Sequence, residues 1–199
     1  MGVIMTVAIP LQSIQIQPQN FINSLDHTIK KYNIFLDSEI GEPAEYRELL
    51  TILFNAPSDS LIYLYINSTG GNLDTTLAIV EAIKMCEAKV SAILIGSCHS
   101  AASIIALNCD EIIVLDNAYS MVHTASFGSS GNVGTVKSHT EFVIAQIDKL
   151  IEQTYSGFLN KEELAKVKNG NELWFNAEDI RKRLKRKFKQ LNKKRKLKT

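Results

Sequence analysis

Cysteine is scarce and unpaired in this 199-residue chain, which holds only Cys86, Cys98 and Cys109. An odd count without metal-knuckle spacing argues against a disulfide framework and against a zinc or haem site. It predicts free thiols in a reducing, cytoplasmic setting. No apolar run reaches the ~18–20 residues that a membrane-spanning helix needs, so no membrane partner is expected. The opening MGVIMTVAIPLQ lacks a basic n-region and an A-x-A pattern, so it is not read as a secretory signal. No repeat recurs at a fixed period. Acidic residues are missing from one region: positions 181 to 199 carry twelve Lys or Arg and no Asp or Glu. The preceding 180 residues hold ten basic and twenty-one acidic residues, a net of −11 that the overall charge of +1 conceals.

What remains is an ordinary globular composition, 45% hydrophobic and 22% charged, enough for one α/β domain. Residues 1–28 read as an arm, 29–180 as the domain and 181–199 as a basic tail. Asn33 to Leu36 predicts a short strand. Pro43 to Asn55 has helical spacing with its proline in the first turn. The run LIYLYI over Leu61 to Ile66 is a second strand, closed by Asn67-Ser68-Thr69-Gly70-Gly71. A helix follows with Leu73, Leu77, Val80 and Ile83 on one stripe, then a strand over Val90 to Ile95. Ser100 to Leu107 is a short run of small and apolar residues, and Glu111 to Leu115 and Tyr119 to Val122 are further strands. Ser126 to Gly134 reads as a flexible loop and Val136 to Phe158 as a long helix. Asn160 with Glu163 forms an N-cap signature for a helix over Lys161 to Lys168. Strands this continuously apolar predict a largely parallel sheet buried on both faces by helices.

Three features carry chemistry. Gly70-Gly71, after a buried strand and before a helix, allows a backbone turn whose N–H groups can polarise a carbonyl oxygen. Taken alone, it reads first as a plain strand-to-helix turn. Gly96-Ser97-Cys98-His99-Ser100-Ala101-Ala102-Ser103 puts a serine where a strand ends and a helix begins, at the sheet edge where α/β folds place their sites. The ordinary alternative is a serine capping a helix. His123 ends a candidate strand and can act as the general base that takes a serine proton and returns it to a leaving amine. A lone histidine is otherwise a packed or surface residue.

In order and spacing, these segments resemble the Clp-type serine peptidase family (ClpP) from Ile34 to Asn176. The family's Y-I-N-S-P-G-G stands as Tyr65 to Gly71, and its G-Q-A-A-S-M-G-A as Gly96 to Ser103. Its M-I-H-Q-P stands as Met121 to Ala125, and its D-x-F-x-S-A as Glu172 to Ala177. The resemblance implies an α/β, crotonase-like fold of repeated β-β-α units with a long handle helix. It implies a serine endopeptidase acting on unfolded or scaffold proteins, with Ser100 as nucleophile, His123 as base and Glu172 as third member. The Gly71 and Ala101 N–H groups would form the oxyanion hole. The helix from Val136 would interlock two rings, heptameric in the family, and the loop before it would align substrate as a strand. No cofactor is expected on this chain, and ATP would enter only through a partner AAA+ unfoldase.

The sequence also departs from the family. Glu172 stands for aspartate, with Asn171, Asp148 and Asp179 as other candidates; Thr69 replaces proline, Ser97 glutamine and His99 alanine. His99 is read as a bulky neighbour or a second-layer group, Cys98 as a small buried hydrophobe, and His27 and His139 as solvent-facing. The basic tail, with Leu184, Phe188 and Leu191 at helical spacing, reads as a basic amphipathic helix touching nucleic acid or an acidic surface, or as a disordered solubilising segment. By analogy only, it suggests a viral-type member. The rival functional reading is a non-catalytic ring subunit with a structural or regulatory role; an acyl-CoA-binding crotonase is a third.

Overall fold

The computed structural model describes residues 30–196, with side chains to residue 189. The arm assigned to residues 1–28, and His27 within it, lie outside the described residues. The strands are β1 (Lys31–Leu36), β2 (Leu61–Ser68), β3 (Lys89–His99), β4 (Glu111–Val114), β5 (Tyr119–Val122) and β6 (Leu173–Asn176). The helices are α1 (Arg47–Asn55), α2 (Leu73–Met85), α3 (Ala101–Leu107), α4 (Val133–Tyr155), α5 (Lys161–Lys168) and α6 (Ala177–Lys196). The strands form one sheet in the order β1-β2-β3-β5-β6, with β4 also paired to β3. All pairings are parallel except β5 with β6. Strand β3 forks: Ser91 to Leu94 pair with β4, and Ser97 to His99 pair with β5. The α/β class expected from the sequence is the class observed.

The expectation of strands buried on both faces is corrected for β1 and β2. Ile34, Leu36, Ile62, Leu64 and Ile66 are buried, while Phe35, Tyr63 and Tyr65 between them are only half-buried. Their amphipathic rings tolerate a wet edge, and Phe35 stacks on Tyr65 at 4.8 Å. The stripe expected on α2 is rotated as well. Leu77 is exposed, and Thr75 and Thr76 are buried beside Ile79, Val80 and Ile83. Burial of those hydroxyls is offset because Thr75 donates to the Gly41 carbonyl and Thr76 to that of Asn72, both at 2.7 Å. Helix α4 starts three residues earlier than expected, capped by Asn132, whose side chain accepts from the Thr135 N–H at 3.0 Å. It ends at Tyr155, so Phe158 packs in the core from the following turn.

The basic tail is the largest revision. A boundary at 180/181 falls inside α6, which runs unbroken from Ala177. Ile180 and Leu184 are buried, and Phe188 packs against the core. The cations beside them serve backbone acceptors. Arg181 donates to the Val114 carbonyl at 2.7 Å and meets Asp116 at 2.5 Å. Arg186 donates to the carbonyls of Gly157 and Phe158, and Lys187 to that of Thr154. The Thr154 carbonyl sits in the last turn of α4, which leaves acceptors unpaired and where the helix dipole favours positive charge, and those of Gly157 and Phe158 lie in the turn that follows. Burial pushes the Lys187 ammonium down to about 8. Arg183 grips both Glu163 carboxylate oxygens, at 2.9 and 2.7 Å, and lies 4.2 Å from the centre of the Phe175 ring.

Two outcomes follow from this packing. Leu184→Ala is expected to lose about 2–5 kcal/mol in urea unfolding, the range for emptying a buried leucine site; an appendage would give no change. The Arg183 guanidinium holds Glu163 at about 2, against an ordinary 4.5. Between those values the unfolded chain binds the extra proton. The contribution of the pair is therefore full above about pH 4.5 and is lost as pH falls toward 2. Glu163→Gln is expected to cost about 1–2 kcal/mol at pH 7 and little near pH 2.5, measured by unfolding at both.

Candidate active site

Strand β3 ends at His99, and Ser100 turns the chain into α3 with φ 50° and ψ −122°. Among the described residues it is the only non-glycine with positive φ. Such a conformation costs about 1–3 kcal/mol and persists only where neighbours over-determine it. The Ser100 N–H extends the β3–β5 ladder by donating to the Met121 carbonyl at 2.8 Å. The Ser100 carbonyl accepts from the N–H groups of Ser103 and Ile104, at 2.9 and 3.2 Å, and from the Ser103 hydroxyl at 2.7 Å. The β2–α2 turn closes over the same point. A Cβ on Gly70 would fall 2.8 Å from Ser100 Cβ and 3.0 Å from the Ala101 nitrogen, and Gly70 itself has φ +96°. Gly71 is pressed against Ile40, whose carbonyl a Cβ would meet at 2.3 Å. Among the described residues, neither the Gly71 nor the Ala101 N–H donates to a backbone acceptor in the surrounding turns.

The register of β5 on β3 pairs His99 with Met121, so His123 emerges one step past the serine. Its Nε2 lies 2.7 Å from Ser100 Oγ, in a half-buried position. The structure thus brings Ser100, His123, Gly70 and Ala101 to one edge of the sheet, with Gly71 next in the turn. It does not bring the Glu172 carboxylate to them. In the antiparallel β5–β6 pairing Val122 faces Leu173, the last pair of the ladder, and His123 and Glu172 are the residues that follow and precede it in the chain. Yet the exposed Glu172 accepts from the Trp174 indole N–H at 3.3 Å, and among the described residues it makes no hydrogen bond to His123. The expected triad contact is therefore not made here. The other candidates do not supply it either: the Asn171 N–H donates to the Lys166 carbonyl and the Asp179 N–H to Asn176, and among the described residues no side-chain bond joins Asn171, Asp148 or Asp179 to the imidazole.

His99 points away from this chemistry. It is 7% exposed and packs edge-on to Tyr119 and Trp174, with ring centres 5.0 and 5.1 Å away. Burial lowers its pKa and favours the neutral ring. Cys98 is buried with its thiol pushed up to about 12, which leaves no thiolate for nucleophilic attack. His139 is exposed and meets Ser129 Oγ at 3.0 Å. No strand forms in the segment 123–132. Two buried hydroxyls that the sequence reading gave no role, Ser103 and Tyr155, meet at 2.6 Å behind the serine. The one sequence signal for them is Ser103 itself, which stands where the resembled motif has alanine.

An α/β sheet whose central strand ends in a strained serine, bonded to a histidine from the adjoining strand, has the architecture of hydrolases built on that pair. The chain belongs to the Clp protease family, whose model matches residues 17–182. It is 32% identical over 97 residues to an ATP-dependent Clp protease proteolytic subunit of Chlorella vulgaris, covering 48% of each chain. It is 29% identical over 129 residues to one of Ligilactobacillus salivarius, covering 63% of this chain and 65% of that protein. To subunit 2 of Treponema denticola it is 28% identical over 176 residues, covering 82% and 86%. The match thus spans about half to two thirds of the first two relatives and most of the third.

Gly70→Ala tests the close approach of the turn to the serine. It is expected to lower the melting temperature through about 1–3 kcal/mol of backbone strain, with the clash on Ser100 added. Gly128→Ala, where an added Cβ meets nothing within 4 Å, is expected to leave it unchanged.

Proposed function

We propose that this chain is a serine endopeptidase of the Clp type, with Ser100 as nucleophile and His123 as general base. The observation that carries the reading is the 2.7 Å contact between Ser100 Oγ and His123 Nε2 at a strained strand-to-helix elbow. In the reaction, Oγ attacks the peptide carbonyl while Nε2 takes its proton. The C=O electron pair moves onto the oxygen, facing the unengaged N–H groups of Gly71 and Ala101. Collapse breaks the C–N bond, and the imidazolium returns its proton to the departing amine, leaving an acyl-serine. Water, deprotonated by the same imidazole, releases the acid and restores the hydroxyl. Glu172 serves as the orienting acid once its carboxylate turns from Trp174 to Nδ1 of His123, a move between the residues just beyond the last β5–β6 pair.

The relatives' printed names support a proteolytic subunit working with an ATP-dependent partner. On this reading the chain assembles into rings around a chamber, binds no cofactor itself, and takes unfolded protein from an AAA+ unfoldase in the cytoplasm. The long α4, with Val133 and Phe142 exposed, and the half-buried aromatic face of β1 and β2 offer apolar surface for such contacts. Among the described residues no helix is long and apolar enough to cross a membrane. The exposed cations of α6, such as Lys182, Lys185 and Lys189, are what remains for an acidic surface or nucleic acid. The resting position of Glu172 favours one rival: a ring subunit that keeps the fold and performs no chemistry.

A fluorophosphonate probe separates the two. The protein is expected to be labelled on Ser100, Ser100→Ala to abolish labelling, and His123→Ala to slow it about 10²–10⁴-fold. Absence of labelling, with and without an unfoldase, would leave the non-catalytic reading.

A further inference from the structure

The Ser103 and Tyr155 hydroxyls form a directed chain. Ser103 Oγ lies 2.7 Å from the Ser100 carbonyl oxygen, which can only accept, so Ser103 donates there. Its single proton is then committed, and the 2.6 Å contact with Tyr155 Oη must run from tyrosine to serine. Both residues are buried, at 3% and 1% exposure, so water does not compete for these bonds. Burial raises the Tyr155 pKa and keeps the phenol a neutral donor.

The Ser100 carbonyl belongs to the same peptide unit as the Ala101 N–H. That unit is planar, and its C=O and N–H point in opposite directions. Fixing one therefore fixes the other, and each donor on the oxygen polarises the N–H at the far side. We propose that Tyr155 and Ser103 are positioning residues for the oxyanion donor: through the Ser100 carbonyl they aim and strengthen the Ala101 N–H. The inference rests on the peptidase reading above and adds to it a link to α4. Tyr155 is the last residue of that helix, between the Thr154 carbonyl that Lys187 of α6 meets and the Gly157 and Phe158 carbonyls that Arg186 meets. The direction of the Ala101 N–H thus depends on how the C-terminal end of α4 is seated.

The test compares Tyr155→Phe, Ser103→Ala and the double variant with the wild type. The substrate is a short peptidyl-coumarin amide and the tetrahedral mimic a peptide boronate. Losing an oxyanion donor outright costs about 10²–10³ in kcat. Here the donor remains and only its support is removed, so each single variant is expected to lower kcat about tenfold, with KM changed by less than about twofold. Boronate affinity is expected to fall by the same factor as kcat. The double variant is expected to be no worse than Ser103→Ala, because both act through one bond. The pH profile is expected to keep its shape. General loosening of the site would instead move KM and the pH profile together. Unchanged kcat and boronate affinity in both single variants, or losses that multiply in the double, overturn the relay while Ser100-dependent labelling upholds the peptidase. Wild-type protein that neither labels on Ser100 nor hydrolyses the amide overturns both. If Tyr155→Phe fails to fold, as judged by its melting curve, Ser103→Ala, which removes only a hydroxyl, decides.

Discussion

The site depends on one backbone constraint, the positive φ of Ser100, and on the contacts that compel it. A serine does not adopt φ 50° and ψ −122° on its own account. Here the Met121 carbonyl holds its N–H, two amides and a hydroxyl hold its carbonyl, and the side-chain-free Gly70 lets the β2–α2 turn lie against it. Those contacts come from three places in the chain that meet only because β2, β3 and β5 are adjacent and parallel. The strain aims the hydroxyl at His123 and leaves the next N–H, that of Ala101, unengaged. Local sequence, sheet register and chemistry are therefore one argument: relaxing φ at residue 100 would lose the geometry of all three.

A second dependence runs through α6. A strongly basic segment beside an acidic body suggests an outward-facing charge, yet Arg183, Arg186 and Lys187 turn inward to the end of α4 and the turn after it. Lys187 satisfies the Thr154 carbonyl in the last turn of that 23-residue helix, and Arg183 and Arg186 satisfy carbonyls of the turn after it. The apolar side chains of Ile180, Leu184 and Phe188 supply the burial that keeps the cations there. This packing fixes the end of α4 at Tyr155 and, through Ser103, reaches the serine elbow.

Much of this was legible in the sequence, and the limits have physical causes. Apolar runs and glycine turns marked the strands, and the order of Gly70-Gly71, Ser100 and His123 along successive strands implied that all three meet at the ends of a parallel sheet. Lys161–Lys168 was readable to the residue because its capping box is local. The position of Glu172 was not, because an exposed carboxylate can choose between two neighbours, and Trp174 is the one it holds. The role of α6 was hidden for another reason. Its hydrophobic spacing was visible, but most acceptors of its cations are backbone carbonyls of a distant helix end, turn and strand, and carbonyls have no sequence signature. The exposed Leu77 shows the same limit in a helix, since hydrogen bonds let Thr75 and Thr76 join Ile79, Val80 and Ile83 on the buried face.

The central claim is that the Ser100 hydroxyl and the His123 imidazole work together on one bound substrate. A peptidyl chloromethyl ketone tests this directly, because its ketone carbon is captured by the serine oxygen and its methylene alkylates the partner imidazole. Peptide mapping by mass spectrometry should then find the inhibitor on His123 in the wild type and not in Ser100→Ala. Alkylation of His123 that persists undiminished without the serine hydroxyl, or modification at another histidine in its place, would contradict the account.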